Sequence, residues 1–158
     1  ALSSMWDTVI GQPHAVELLQ RLTEHPVHGF LLVGPEGCGK DEAARAFATT
    51  LLTGAADPSS RAGRLIAQQG FADVHEIWRE GASISAEMAQ DIVESASRSP
   101  IESALKIIIL HEVHLMAEAA VVRLLKTFEE PTAHVVFVCW ICSLPKRFWN
   151  NAKHSTTI

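Results

Sequence analysis

One seven-residue run constrains this chain more than any other feature: Gly34-Pro35-Glu36-Gly37-Cys38-Gly39-Lys40. It satisfies the first seven positions of the pattern G-x-x-x-x-G-K. Glycine lets several backbone N–H groups converge on one oxyanion at close range. A helix starting near Lys40 aims its positive dipole end at the same point, and the lysine adds a mobile charge. The flanks supply what such a loop needs. Phe30 to Val33 is a continuous apolar run, the signature of a strand buried on both faces. Lys40 to Leu52 carries Ala43, Ala44, Phe47 and Leu51 at helical spacing. Strand, glycine loop and helix in that order predict a phosphate-binding loop rather than an idle turn.

The remaining segments extend the same alternation. An opening loop from Trp6 to Gln12 leads to Pro13, near the start of an amphipathic helix with Ala15, Leu18, Leu19 and Leu22 on one face, stopped by Pro26. Arg61 to Gln69 is read as a helix and Val74 to Trp78 as a second strand. Ser85 is placed to cap a helix that runs to about Ser97, with Glu87 in its first turn. Ile107 to Leu110 is the most hydrophobic strand, Glu118 to Glu129 a helix ended by Pro131, and Val135 to Ile141 a fourth strand. Lys146 to Asn150 is read as a helix start and Thr156 to Ile158 as a last strand. Strands alternating with helices predict a three-layer α/β fold: a mostly parallel five-stranded sheet, helices on both faces, and one domain over residues 1–158.

The composition narrows the function classes. Hydrophobic residues at 47% and charged residues at 20% are those of an ordinary globular protein. The longest apolar run, Val135 to Cys142, falls far short of the ~20 residues a membrane span needs. No leader pattern opens the sequence, and three cysteines make no disulfide framework, so a cytoplasmic setting is expected. The net charge of −5 comes with no basic stripe, so any work at DNA is expected to run through protein partners.

The eighth position of the loop breaks the pattern. It calls for the Ser or Thr hydroxyl that binds Mg²⁺, and Asp41 stands there. Two like unit charges ~4 Å apart repel by about 4 kcal/mol at an effective dielectric near 20. A carboxylate beside phosphates therefore predicts weakened nucleotide binding. A second acidic site is expected where a buried strand ends, with an Asp for the metal and a Glu for the attacking water. The candidate is Ile107-Ile108-Ile109-Leu110-His111-Glu112, in which the Glu is present and His111 takes the Asp position. A neutral imidazole is a poor ligand for a hard cation that prefers oxygen. Both metal positions have changed together, which predicts a site defective in hydrolysis, with Glu112 as the candidate water-orienting residue. The competing reading is a working ATPase in which Asp41 replaces the hydroxyl.

Two other constellations weigh less. Cys139-Trp140-Ile141-Cys142 has redox spacing, but on a strand it is better explained as two buried thiols, and one pair supplies half of the ligands zinc needs. His111 and His114 are three apart at a strand end, whereas the zinc-protease helix spaces its histidines four apart. The four tryptophans are scattered, with no aromatic-basic interleaving for single-stranded nucleic acid.

Taken together, Trp6 to Gln12, the glycine loop with Ala43-Ala44-Arg45-Ala46-Phe47-Ala48, Ser95 to Pro100, and the helix from Glu118-Ala119-Ala120 through Leu124-Leu125-Lys126-Thr127-Phe128-Glu129-Glu130-Pro131 carry a resemblance. Over residues 6 to about 145 the chain resembles the bacterial DNA polymerase III clamp-loader subunits. The delta-prime members are nearest, and gamma/tau is a closely related alternative. The resemblance implies a RecA-like AAA+ fold and a place in a five-subunit ring that loads the sliding clamp on primed DNA, with delta prime as a rigid stator. It implies nucleotide contacts from Val9, Ile10, Gly34, Gly37, Cys38, Gly39, Lys40 and Asp41, a degenerate Walker B at His111 and Glu112, and a sensor near Cys142 or Ser143. ATP or ADP, with weak Mg²⁺, is the implied cofactor. Thr53 to Phe71 lacks the cysteines of the family's zinc module, so no zinc is expected. Ala152 to Thr156 lacks the arginine that the family offers to a neighbour's ATP. The lid and collar domains of that family lie outside residues 1–158.

Overall fold

Side-chain alternation along three central strands decides the architecture. In β3 (Lys106–Leu110), Ile107 and Ile109 face one way and Ile108 and Leu110 the other, every one of them buried. In β4 (Val135–Ile141), Val136, Val138 and Trp140 share the first face, while Val135, Phe137 and Ile141 share the second. In β1 (Gly29–Val33), Phe30 and Leu32 lie on the first face and Leu31 on the second. A sheet apolar on both sides must be covered on both sides, and it is. Helices α1 (Pro13–Leu22), α2 (Lys40–Thr53) and α3 (Arg61–Ala67) contribute Leu19, Phe47 and Ile66 to the first core. Helices α4 (Ala86–Ser97) and α5 (Glu118–Glu129) contribute Ile92 and Leu124 to the second.

The computed structural model describes residues 3–25, 27–34, 37–130, 132–141 and, for backbone pairing, 155–157. The strand order is β2-β3-β4-β1-β5, with β2 spanning Val74–Ile77 and β5 spanning Ser155–Thr157. Every ladder is parallel. Four strands make the body of the sheet, and the three-residue β5 pairs along β1 from Gly29 to Leu31. The strand and helix types expected from the sequence are found, with shorter ends. Helix α1 stops at Leu22, where Thr23 caps it, before Pro26 is reached. Helix α3 ends at Ala67 and β2 at Ile77, leaving Trp78 outside the ladder. Ser85 caps α4 as expected, its hydroxyl accepting from the Met88 N–H at 3.2 Å. The expected helix start at Lys146 to Asn150 and the final Ile158 lie outside the described residues.

This order places a site. The chain leaves β1, crosses over two strands to the sheet edge at β2, and returns through β3 and β4. The carboxyl ends of β1, β3 and β4 then form the crevice in which ligands of open α/β sheets bind. The glycine loop begins there, with the Gly34 N–H donating to the Ile141 carbonyl at the end of β4 (3.3 Å).

Candidate functional site

Gly37 and Gly39 both hold positive φ, +77° and +89°, and Gly39 is the N-cap of α2. No side chain caps this helix, so its first backbone N–H groups open toward the loop. Gly34 is needed for another reason: a Cβ there would stand 2.8 Å from Cys38 Sγ. Lys40 is buried and folds back over the loop, its Nζ donating to the Gly34 carbonyl at 2.8 Å. The same ammonium lies 3.5 Å from Cys38 Sγ and 5.1 Å from the centre of the Trp140 ring. Ahead of the loop, a 3₁₀ turn at Met5–Thr8 carries Val9 against Gly39 and leaves Ile10 open to solvent. A cavity of about 440 Å³ is lined by Thr8, Ile10, Cys38, Lys40, Asp41, Glu112, Trp78 and Trp140, among others. Of the eight nucleotide positions expected from the sequence, six line this cavity: Ile10, Gly37, Cys38, Gly39, Lys40 and Asp41. Val9 packs near Gly39, and the Gly34 carbonyl accepts from Lys40.

The metal corner departs from what a phosphate loop with Mg²⁺ requires. Asp41 Oδ1 lies 3.1 Å from Nδ1 of His111, so the two altered positions are bonded to each other. His111 is fully buried. Its Nε2 meets Glu76 Oε1 at 2.8 Å, and Glu76 in turn takes a two-pronged ion pair from Arg45 (2.9 and 3.1 Å). Its ring stacks on Trp78, with centroids 3.5 Å apart and planes 8° from parallel. The indole N–H of Trp140 donates to the same Nδ1 at 2.5 Å. An indole only donates, so this contact needs a lone pair on Nδ1, whereas the Asp41 contact needs a proton there. The two bonds compete.

The neighbouring charges bear on that competition. Burial alone would lower the His111 pKa, but the hydrogen bonds to Asp41 and Glu76 outweigh it and raise the imidazole above its ordinary value. The hydrogen bond from His111 lowers Asp41, against the opposing effect of burial. Burial pushes Glu76 up, yet His111 and Arg45 together bring it below the usual carboxylate range. The two flanking carboxylates shift the imidazole toward the imidazolium, which is the worse metal ligand of the two forms. Glu112 stands in the left-handed region at φ +54° and is ion-paired to Arg79 at 2.9 Å, while Arg79 also donates to the Gly81 carbonyl. Among the described residues, no group of three or more His, Cys, Asp or Glu side chains is arranged to hold a metal.

Four residues of this corner went unrecognised as site residues: Arg45, Glu76, Trp78 and Trp140. A signal existed for one of them. Glu76 is an ionisable residue in the middle of a strand whose neighbours Val74 and Ile77 are apolar, and a half-buried carboxylate needs a partner. Cys139 lies in β4, where burial pushes its thiol up to about 12, so it offers no thiolate for redox chemistry. Cys142 and Ser143, the expected sensor positions, lie outside the described residues, as does Ala152 to His154. No helix among the described residues is long and apolar enough to cross a membrane.

Comparison with known proteins places the architecture. A gamma-subunit-related DNA polymerase III protein of Thermotoga maritima superposes with a TM-score of 0.64 at 21% identity, over 91% of this chain and 45% of that one. A Thermotoga maritima RuvB variant superposes with a TM-score of 0.51 at 16% identity, over 96% and 44%. The fold is thus α/β, RecA-like and of the AAA+ type. In sequence, the chain is 31% identical to the tau subunit of Bacillus subtilis DNA polymerase III over 140 residues, and 36% identical to the gamma subunit of Buchnera aphidicola over 138. These matches cover 84% and 82% of this chain but 25% and 38% of those proteins, so it spans about a quarter to two fifths of their length. The profile of the family described as "DNA polymerase III, delta subunit" matches residues 11–143. With a glycine cradle, a strand-end acidic corner and that match over most of its length, the chain belongs to the clamp-loader family of DNA polymerase III subunits.

Proposed function

We propose that this chain is the nucleotide-site module of a clamp-loader subunit that works as a hydrolysis-deficient member of its ring. One observation carries the reading: Asp41 and His111, which occupy the two metal-holding positions, are bonded to each other at 3.1 Å. Phosphoryl transfer in this site class relies on Mg²⁺ bridging the β and γ oxygens. A corner whose would-be ligands bond one another offers that ion no histidine nitrogen, and its one carboxylate is already drawn to the imidazole. Glu112, the candidate water-orienting residue, is engaged by Arg79. The module then contributes shape and subunit contacts, and meets the sliding clamp and primed DNA through the assembly.

For the finer placement, delta prime or gamma/tau, the family profile is that of a delta subunit, while the relatives in sequence lean the other way. The two relatives given above are a tau subunit at 31% identity and a gamma subunit at 36%, which favours a gamma/tau-like lineage. The same identity supports a second reading, a working gamma/tau-like motor in which Asp41 swings off His111 to meet the metal. Magnesium-dependent ATP turnover of the intact protein separates the two. The proposal expects none above background. Turnover that Lys40→Ala abolishes would sink it and favour the motor.

A further inference from the structure

Asp41 and Arg45 stand one turn apart on α2, and both reach toward the carboxyl ends of β2 and β3. Asp41 meets Nδ1 of His111, just past the end of β3, at 3.1 Å. Arg45 grips Glu76 of β2 at 2.9 and 3.1 Å, and Glu76 meets Nε2 of the same imidazole at 2.8 Å. With the turn of α2 between Asp41 and Arg45, these side chains close a ring. His111 is buried within it, and its backbone N–H donates to the Ile77 carbonyl at 3.0 Å.

The local sequence gives this end of α2 little to hold it. Its N-cap is Gly39 in the left-handed conformation, and no side chain caps the first turn. That turn adds only Ala43 to the core, followed by Ala44, and the first large apolar side chain is Phe47. Lys40 fastens the end toward β1 through the Gly34 carbonyl. Toward β2 and β3, the polar fastening among the described residues is the ring. One joint of it can part. The indole N–H of Trp140 also meets Nδ1, so a neutral His111 keeps a partner on each nitrogen when Asp41 leaves. Asp41 is also the ring member that lines the cavity. The geometry points to a latch: with the cavity empty, the ring holds the first turns of α2 against the ends of β2 and β3, and it opens at the joint between Asp41 and His111.

Amide hydrogen exchange of the intact, ligand-free protein tests this. Asp41→Ala should speed exchange at the Arg45, Ala46 and Phe47 amides about fivefold, while amides of α5 change by less than about twofold. Asp41 also favours the positive end of the α2 dipole, so Glu42→Ala is the control: it removes an acid from the same first turn but not from the ring. Its effect should be about threefold smaller or less. Asp41 is one-third exposed (33%) and Glu42 is exposed, so both variants should fold. In a His111→Gln background, Asp41→Ala should add less than about twofold, because the joint is already gone. If the buried His111→Gln change prevents folding, the comparison of Asp41→Ala with Glu42→Ala decides alone. Equal effects of those two variants would overturn the latch, leaving Asp41 as a dipole partner only. So would an undiminished Asp41→Ala effect without His111, or a speed-up shared equally by α5.

Discussion

Two buried charge clusters sit at opposite ends of the sheet, and they are satisfied in different ways. At the amino ends of β2 and β3, Asp73 accepts from the backbone N–H groups of Ile101, Glu102 and Ser103 at 2.6, 2.8 and 2.7 Å. Next to it, Lys106 donates to the Ser95 and Arg98 carbonyls at 2.6 and 2.8 Å, closing the carboxyl end of α4. Each charge there has backbone partners, which cannot rotate away. At the carboxyl ends, Asp41, His111, Glu76 and Arg45 are bound to each other through side chains, and one imidazole nitrogen has two claimants. Backbone-held charges stiffen a fold. Side-chain-held charges can regroup when a ligand arrives, and this cluster faces the cavity.

The contrast can be broken by mutation. Removing the Asp73 carboxylate with Asp73→Ala should have the largest effect, because three backbone donors lose a charged acceptor: about 3 kcal/mol, read as a shift of the urea midpoint at constant slope. If that variant is as stable as the parent, the cluster at the amino ends is not the rigid one. Glu76→Gln keeps the shape but removes the charge that both Arg45 and His111 lean on, and should cost about 2 kcal/mol. A loss equal to that of Asp73→Ala would erase the distinction between the ends.

The smallest expected effect is on pH dependence near neutrality, and it comes from His111 in the cluster at the carboxyl ends. The folded pKa of His111 lies above its ordinary 6.5, so its contribution is complete below pH 6.5 and is lost as pH rises through the folded value. Asp41, Glu76 and Asp73 are depressed from ordinary values of 3.8, 4.5 and 3.8, so their contributions are present above those values and lost as pH falls through the depressed ones. His75 opposes His111, because burial lowers it and charging it on acidification costs stability. Subtracting the stability of a His111→Gln protein from that of the parent removes the His75 contribution. The difference should be about 1 kcal/mol below pH 6.5 and shrink on the alkaline side. A difference that grows with pH would mean that the neutral imidazole, bonded to Trp140, is the resident form.

The fold was largely legible because its signals are local. Phe30 to Val33 as an apolar run, Ala43, Ala44 and Phe47 at helical spacing, and Ser85 before α4 each report on neighbours within four residues. The ends were less legible. Helix α1 stops at Leu22 because the Thr23 hydroxyl and backbone turn the chain there, an interaction no stronger on paper than the Pro26 that seemed the natural stop. Half of the candidate site could be read as well. Gly34 to Lys40 and Glu112 are motif positions, and Asp41 and His111 stand out as departures from the same motifs. Arg45, Glu76, Trp78 and Trp140 were invisible as site residues because each is unremarkable within its own element.

By itself, the sequence determined that a glycine loop would follow a buried strand, and it set Asp41 and His111 at the two positions where a phosphate loop calls for magnesium ligands. Only the tertiary structure decided that those two residues, 70 positions apart, would bond to each other, with Glu76 and Arg45 behind them. The reason is that periodicity and caps act over one turn or one strand. Which side chains meet at the end of a sheet depends instead on the order β2-β3-β4-β1 and on the register that brings Ile77 alongside Leu110.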